Sequence, residues 1–280
     1  MLVLMRLIRS GALIVVAALA GGGIAFAGLG QPSPWQVGLQ QSAAPTMDDI
    51  IWFHTFVLWI ITVITIFVLI LLLLVIVKFN ARANPTPSRT THNTLLEVLW
   101  TVVPVVILVV IAVPSFRILF VQLNIPPSDL TIKAVGNQWF WTYEYPDYEM
   151  SFDSLMLRPE DLAEYGYTED HYLLATDTAV VVPVNAVVRL QTTAADVIHA
   201  FAMPAFGVKM DAIPGRLNEM WFSAEAEGIY FGQCSELCGK DHSYMPITVK
   251  VLSQEDYEGW LDWAIGEYGG VRPETVASAD

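Results

Sequence analysis

The sequence predicts a two-helix membrane hairpin followed by an all-β sandwich or barrel and a closing C-terminal helix. Three observations predict it. Two uncharged apolar runs, Ile50 to Val77 and Val98 to Phe116, each suffice to cross a hydrocarbon core of roughly 30 Å at about 1.5 Å per helical residue. From about Leu130 the pattern changes to short β-rich pieces separated by Pro, Gly, Asn and Asp. Charge is also segregated: residues 121–280 hold 25 acidic and 8 basic side chains, a net of −17, whereas residues 1–46 carry only Arg6 and Arg9. A mean hydropathy of +0.50 over 280 residues fits a membrane protein better than an ordinary soluble one.

The chain opens as an export signal over residues 1–27. Arg6 and Arg9 form the basic start, Ala12 to Ala20 the apolar core, and Ala25-Phe26-Ala27 a small-x-small cleavage site. A retained membrane anchor is the alternative, and either reading exports residues 28–49. The hairpin then occupies residues 50–120, with spans at about 50–77 and 97–119. Its loop, residues 78–96, carries Lys78, Arg82 and Arg89 and no acid, which places it on the cytoplasmic side. Pro104 and Pro114 lie inside the second span, where neighbouring helices can satisfy the carbonyls that proline frees.

Strand-like pieces follow in residues 129–253: Leu130 to Val135, Phe140 to Tyr145, Ala179 to Val184, Ala186 to Thr192, Met220 to Ser223 and Ile247 to Leu252. Residues 254–268 space Tyr257, Trp260, Leu261 and Ile265 as one face of an amphipathic helix, and Gly269 to Asp280 read as a frayed tail. The acidic field of this exported half repels nucleic acid and attracts a basic partner.

The chemistry concentrates between Cys234 and Met245. Cys234 and Cys238 are the two cysteines of the chain, and His242 and Met245 follow them; a second exported imidazole, His199, precedes. Sulfur and imidazole donors select copper, and two thiolates can bridge two metals. Three other readings compete. The cysteines could form a disulfide in an oxidising compartment, a Cys2His2 set suits tetrahedral zinc, and His242 and Met245 could be ordinary loop residues. Met245 is superfluous for zinc, and the spacing of all five is superfluous for a disulfide.

The C-x3-C-x3-H-x2-M arrangement, preceded by His199, resembles the CuA site of the cytochrome c oxidase subunit II family, and the likeness runs from Trp52 to about Trp260. The resemblance implies a cupredoxin-like Greek-key sandwich behind the hairpin. It implies a dinuclear copper centre held by His199, Cys234, Cys238, His242, Met245 and the backbone carbonyl of Glu236, whose side chain binds a magnesium ion shared with subunit I. In Gln138-Trp139-Phe140-Trp141-Thr142-Tyr143-Glu144-Tyr145, Trp139 matches the port through which electrons arrive. Read alone, such an aromatic run is strand packing. Phe140 and Asn137 depart from the tyrosine and histidine of many members.

Glu97, in Glu97-Val98-Leu99-Trp100-Thr101, matches a glutamate at the mouth of a proton pathway in the neighbouring subunit; without the resemblance it is a carboxylate at the water boundary of a membrane helix. Arg216 lies in Asp211-Ala212-Ile213-Pro214-Gly215-Arg216 and could pair with haem propionates or with Asp211. Glu144, Asp153, Asp177 and Asp196 match carboxylates that dock cytochrome c, whose basic face an acidic surface would steer.

The expected function is that of subunit II of a bacterial oxidase: electrons pass from cytochrome c to haem in subunit I, where oxygen is reduced with proton pumping. Partners are subunit I, subunit III, cytochrome c and the lipid bilayer, and the copper domain faces the periplasm from the inner membrane. A copper-free quinol oxidase subunit and a membrane-anchored copper carrier are the alternatives. No C-x-x-C-H occurs to attach a haem to this chain.

Overall fold

The computed structural model describes residues 30–273, and the predicted signal segment and the end of the tail lie outside it. Helix α1 runs Pro45–Lys78 and helix α2 runs Thr94–Leu123. At 34 residues α1 is about 50 Å long, more than a bilayer core requires. Its first turn therefore packs on the β-sandwich domain: Thr46 and Met47 are buried, and Thr46 Oγ1 donates to Phe206 O at 2.6 Å. Proline at the first helical position suits this start, since its missing N–H would have had no partner.

Asn93 caps α2, its side chain accepting from the Leu96 amide at 3.2 Å, while Glu97 Oε1 reaches back to the Asn93 amide at 3.3 Å. The helix continues through Pro104 and Pro114. Large apolar side chains along both helices face outward, and nothing in the most apolar window of either is buried within this chain. Such a surface requires lipid or other membrane helices around it.

Ten strands form the sandwich. They are β1 Leu130–Asn137, β2 Phe140–Tyr145, β3 Met150–Ser154, β4 Val180–Pro183, β5 Val188–Ala194, β6 His199–Met203, β7 Val208–Ala212, β8 Asn218–Phe222, β9 Gly228–Cys234 and β10 Pro246–Leu252. One sheet has the order β3-β2-β1-β5-β8 and the other β4-β10-β9-β6-β7. The pairs β1/β5 and β4/β10 are parallel and the rest antiparallel. This is the predicted architecture, a hairpin followed by a β-sandwich.

Burial alternates residue by residue along β1, β2 and β5, as it must where one face packs inward and the other meets water. Ile132, Trp141, Tyr143, Tyr145 and Leu190 fill the core from that sheet, against Phe201, Met203, Tyr230, Ile247 and Val249 from the other. β9 and β10 are covered on their outer side as well. There an excursion between β3 and β4 brings Leu157, Leu162, Tyr167 and Ala175 onto Phe231. It is pinned to β10 at Thr248, which accepts from the Thr176 amide at 3.2 Å and donates to Leu174 O at 3.4 Å.

Helix α3, Gln254–Tyr268, is capped by Ser253 and buries Tyr257, Leu261 and Ala264. Beyond it, the start of the expected frayed tail packs back: the Val271 amide donates to Tyr148 O at 2.7 Å, and Arg272 binds Glu258 and Asp262 at 2.9 and 2.8 Å.

Candidate metal centre

The parallel β1/β5 pair and the β6/β9 pair end together, and the sulfur and imidazole side chains gather at that end. Register places Phe201 of β6 beside Cys234 of β9, so His199 at the start of β6 and Cys234 at the end of β9 lie at one end of the sheet, on adjacent strands. The Ser235 amide binds Ala200 O at 3.0 Å, and from there the chain loops out to return at Pro246.

Both cysteines are buried free thiols, with their sulfur atoms 3.9 Å apart. The His199 ring is wholly buried, with Nδ1 3.9 Å from Cys234 Sγ. Cys238 Sγ lies 3.5 Å from both His242 Nδ1 and Met245 Sδ. Glu236 O lies 3.4 Å from Cys234 Sγ. Donor atoms of His199, Cys234 and Cys238 fall within 4.8 Å of one another, the one such cluster among the described residues. Two unbonded thiols, a thioether and two imidazoles in a largely buried space fit a soft metal; they leave a disulfide reading without its bond.

The titration of these groups follows from their packing. Burial pushes the Cys234 thiol up, but its hydrogen bonds to His199 and to the backbone at Glu236 and Ala200 outweigh that and bring it to about 7. Burial and the adjacent Cys234 push Cys238 up to about 12. Burial lowers His199, yet hydrogen bonds to Cys234 and Asp196 leave it above the ordinary imidazole value.

Asp196 has a role here that the sequence reading assigned elsewhere. Its Oδ1 is 2.8 Å from His199 Nε2, the nitrogen that faces away from the sulfur atoms. A carboxylate behind an imidazole fixes both ring orientation and tautomer. The spacing of three residues from Asp196 to His199 was the available signal. Gly136 was also passed over. A Cβ there would sit 2.7 Å from His199 Cδ2, so glycine is what lets β1 approach the ring. Trp141 closes the site from the core, edge-on to the same ring at 6.1 Å between centroids.

Trp139 is half-buried over the cysteine loop, its Nε1 donating to Cys238 O at 3.3 Å. Lys240 Nζ stands 5.5 Å from its ring, and an open cavity of about 340 Å³ is lined by Trp139, Asp241 and Tyr244.

The other candidate residues lie apart from the cluster. Glu144 is paired with Lys133 at 3.0 Å, and Asp153 accepts from Thr142 Oγ1 at 2.7 Å. Asp177 accepts from the amides of Leu155 and Thr178 at 2.9 and 2.6 Å. Glu97 is at the far end of the hairpin, in the first turn of α2. The Asp211 carboxylate pairs with Lys209 at 3.6 Å and not with Arg216, which is exposed and makes no ion pair among the described residues.

Comparison with known proteins gives a consistent result. The family described as "Cytochrome C oxidase subunit II, transmembrane domain" matches residues 32–118, and that described as "Cytochrome C oxidase subunit II, periplasmic domain" matches residues 130–252. Cytochrome c oxidase subunit 2 of Cereibacter sphaeroides is 51% identical over 266 residues, covering 89% of this chain and 88% of its own. A probable cytochrome c oxidase subunit 2 of Rickettsia bellii is 50% identical over 232 residues, covering 82% of this chain and 85% of its own. The solved periplasmic domain of subunit II from Bradyrhizobium japonicum is 51% identical, covering 52% of this chain and 99% of that one, with a TM-score of 0.47.

Proposed function

Because the chain belongs to the cytochrome c oxidase subunit II family, we propose that its exported domain receives single electrons from reduced cytochrome c and passes them to haem in subunit I, where oxygen is reduced to water with proton pumping. The observation that carries this reading is the convergence of His199, Cys234 and Cys238 within 4.8 Å, with Met245 and His242 against the second sulfur. His199, Cys234, Cys238, His242, Met245 and the Glu236 carbonyl would hold a dinuclear copper centre. When bound, that centre supplies a one-electron acceptor and donor.

The protein's own contribution is to hold the donors in place. The paired ends of β6 and β9 fix His199 and Cys234, Asp196 fixes the His199 ring, and the buried sulfur atoms exclude water, so little need move when an electron arrives. Trp139 is in van der Waals reach of this loop and half-exposed, which suits it to receive the electron at the surface. Glu144, Asp153, Asp177 and Asp196 contribute to an acidic face for the basic cytochrome, and Asp196 thus serves two ends. The Glu236 side chain would hold magnesium at the border with subunit I, Arg216 would meet haem propionates there, and Glu97 would border the proton pathway. Subunits I and III and the lipid bilayer cover the hairpin, and the copper domain lies on the periplasmic side of the inner membrane.

The test is metal content of the full-length chain in detergent, after loading with copper and zinc in competition. Two coppers per chain, displaced by neither zinc nor mild oxidation, is the expected result. One metal per chain, a preference for zinc, or a Cys234–Cys238 disulfide that refuses copper would overturn it.

A further inference from the structure

We infer that Gln138 is a positioning residue for the metal centre, coupling the strand that carries His199 to the loop that carries Cys238. This rests on the copper reading above and adds to it a residue that holds no metal. Gln138 and Trp139 form the turn between β1 and β2. The Gln138 backbone N–H donates to Asp196 Oδ2 at 2.7 Å, and Asp196 Oδ1 holds His199 Nε2 at 2.8 Å. Its side-chain Nε2 donates to Cys238 O at 2.8 Å. One residue thereby grips both sides of the site, through its backbone on one and its side chain on the other.

The loop side has little else to hold it. Between Ser235, bonded to Ala200 O, and Pro246, where β10 begins, the Cys234 thiol touches Glu236 O. The other hydrogen bonds reaching the loop backbone from the body of the domain converge on Cys238 O, from Gln138 and Trp139, among the described residues. The remaining backbone bonds, His242 to Gly239 O and Tyr244 to Asp241 O, close turns within the loop itself. Gly239 allows the close approach: its φ of +127° disfavours any side chain, and a Cβ there would press on Gln138 Nε2 at 3.2 Å. Gln138 is exposed on its outer side, so it is not there to fill the core.

The experiment uses the assembled oxidase without cytochrome c, which removes any docking effect of a residue beside Trp139. Gln138→Glu is nearly isosteric but presents acceptors where a donor is needed, Gln138→Leu removes the polar group, and Gln138→Lys restores a donor. The first two are expected to lower copper retention against a chelator about 10-fold and to alter the copper hyperfine splitting and midpoint potential. Gln138→Lys recovers most of both. All variants keep the residue-138 backbone N–H to Asp196, so the coupling is read with Gln138→Leu, which adds no charge there: combined with Asp196→Asn, its effect departs from the sum of the single effects.

After copper removal, Cys238 in the Glu and Leu variants is alkylated faster than in the parent, while Cys234 is not. An unchanged spectrum and retention in both variants, or full additivity with Asp196→Asn, would overturn the inference. If the parent shows a single-copper signal, the dinuclear reading fails by itself, and the alkylation rates still decide the role of Gln138.

Discussion

The two sides of the metal centre are built by different means. His199 and Cys234 sit on paired strands, with the imidazole fully enclosed by Gly136, Trp141 and Asp196. Cys238, His242 and Met245 come from a loop and a short 3-10 turn held by few bonds to the rest of the domain. His242 is only half-buried. The strand side is thus organised by the same packing that stabilises the fold, whereas the loop side needs local clamps and the metal itself. Damage to the first side should cost stability with metal present or absent; damage to the second should appear chiefly in the metal centre.

The largest expected effect removes the atom on which both sides meet. Cys234→Ser should abolish the mixed-valence copper signal and, because Cys234 is a buried strand residue, also lower the apo melting temperature, read by copper content and thermal unfolding. Next is Gly136→Val, whose Cβ alone would lie 2.7 Å from the His199 ring. Overpacking of this kind costs about 1–3 kcal/mol, so the apo protein itself should melt earlier. Gly239→Ala strains a φ of +127° and presses on Trp139 at 3.0 Å. It should cost about 1–2 kcal/mol and reduce the rate of electron uptake from cytochrome c more than it lowers the melting temperature. If Gly239→Ala instead destabilises the apo fold as much as Gly136→Val, the two sides do not differ as described.

A smaller effect appears with pH. Burial raises the Asp196 carboxyl, but hydrogen bonds from His199 and from the Val197 and Gln138 amides outweigh it and hold the group below the ordinary carboxylate value. A depressed folded-state value contributes stability that is present above about pH 4 and lost as pH falls through it. In the apo protein Asp196→Asn should flatten this acid limb of the stability profile. An unaltered limb would remove Asp196 from the strand-side account. The smallest effect is expected at Glu144, whose pair with Lys133 is partly solvent-exposed: Lys133→Ala should change stability by about 1 kcal/mol or less.

The same contrast explains what could be read in the sequence. The spans were legible because uncharged runs of that length have few other uses, and α3 because its apolar residues recur at helical spacing. The gathering of soft donors was legible because five such side chains rarely cluster by chance, and the structure does bring them together. β6 and β9 were not, since neither shows the strict alternation of a half-exposed strand and β9 is broken by Gly232 and Gln233. Their absence from the reading hid the pairing that brings His199 to Cys234. Gln138 escaped for a related reason: its role depends on contacts 58 and 100 residues away, which no local pattern encodes. Arg216 was open between two partners, and Asp211 pairs with Lys209.

The central claim is that both sides converge on one centre that shares a single electron. Electron paramagnetic resonance of the copper-loaded full-length chain, partly reduced, tests it most directly. The account predicts a hyperfine pattern from one unpaired electron spread equally over two copper nuclei, lost in Cys234→Ser. A pattern from a single copper nucleus in the parent protein would contradict it.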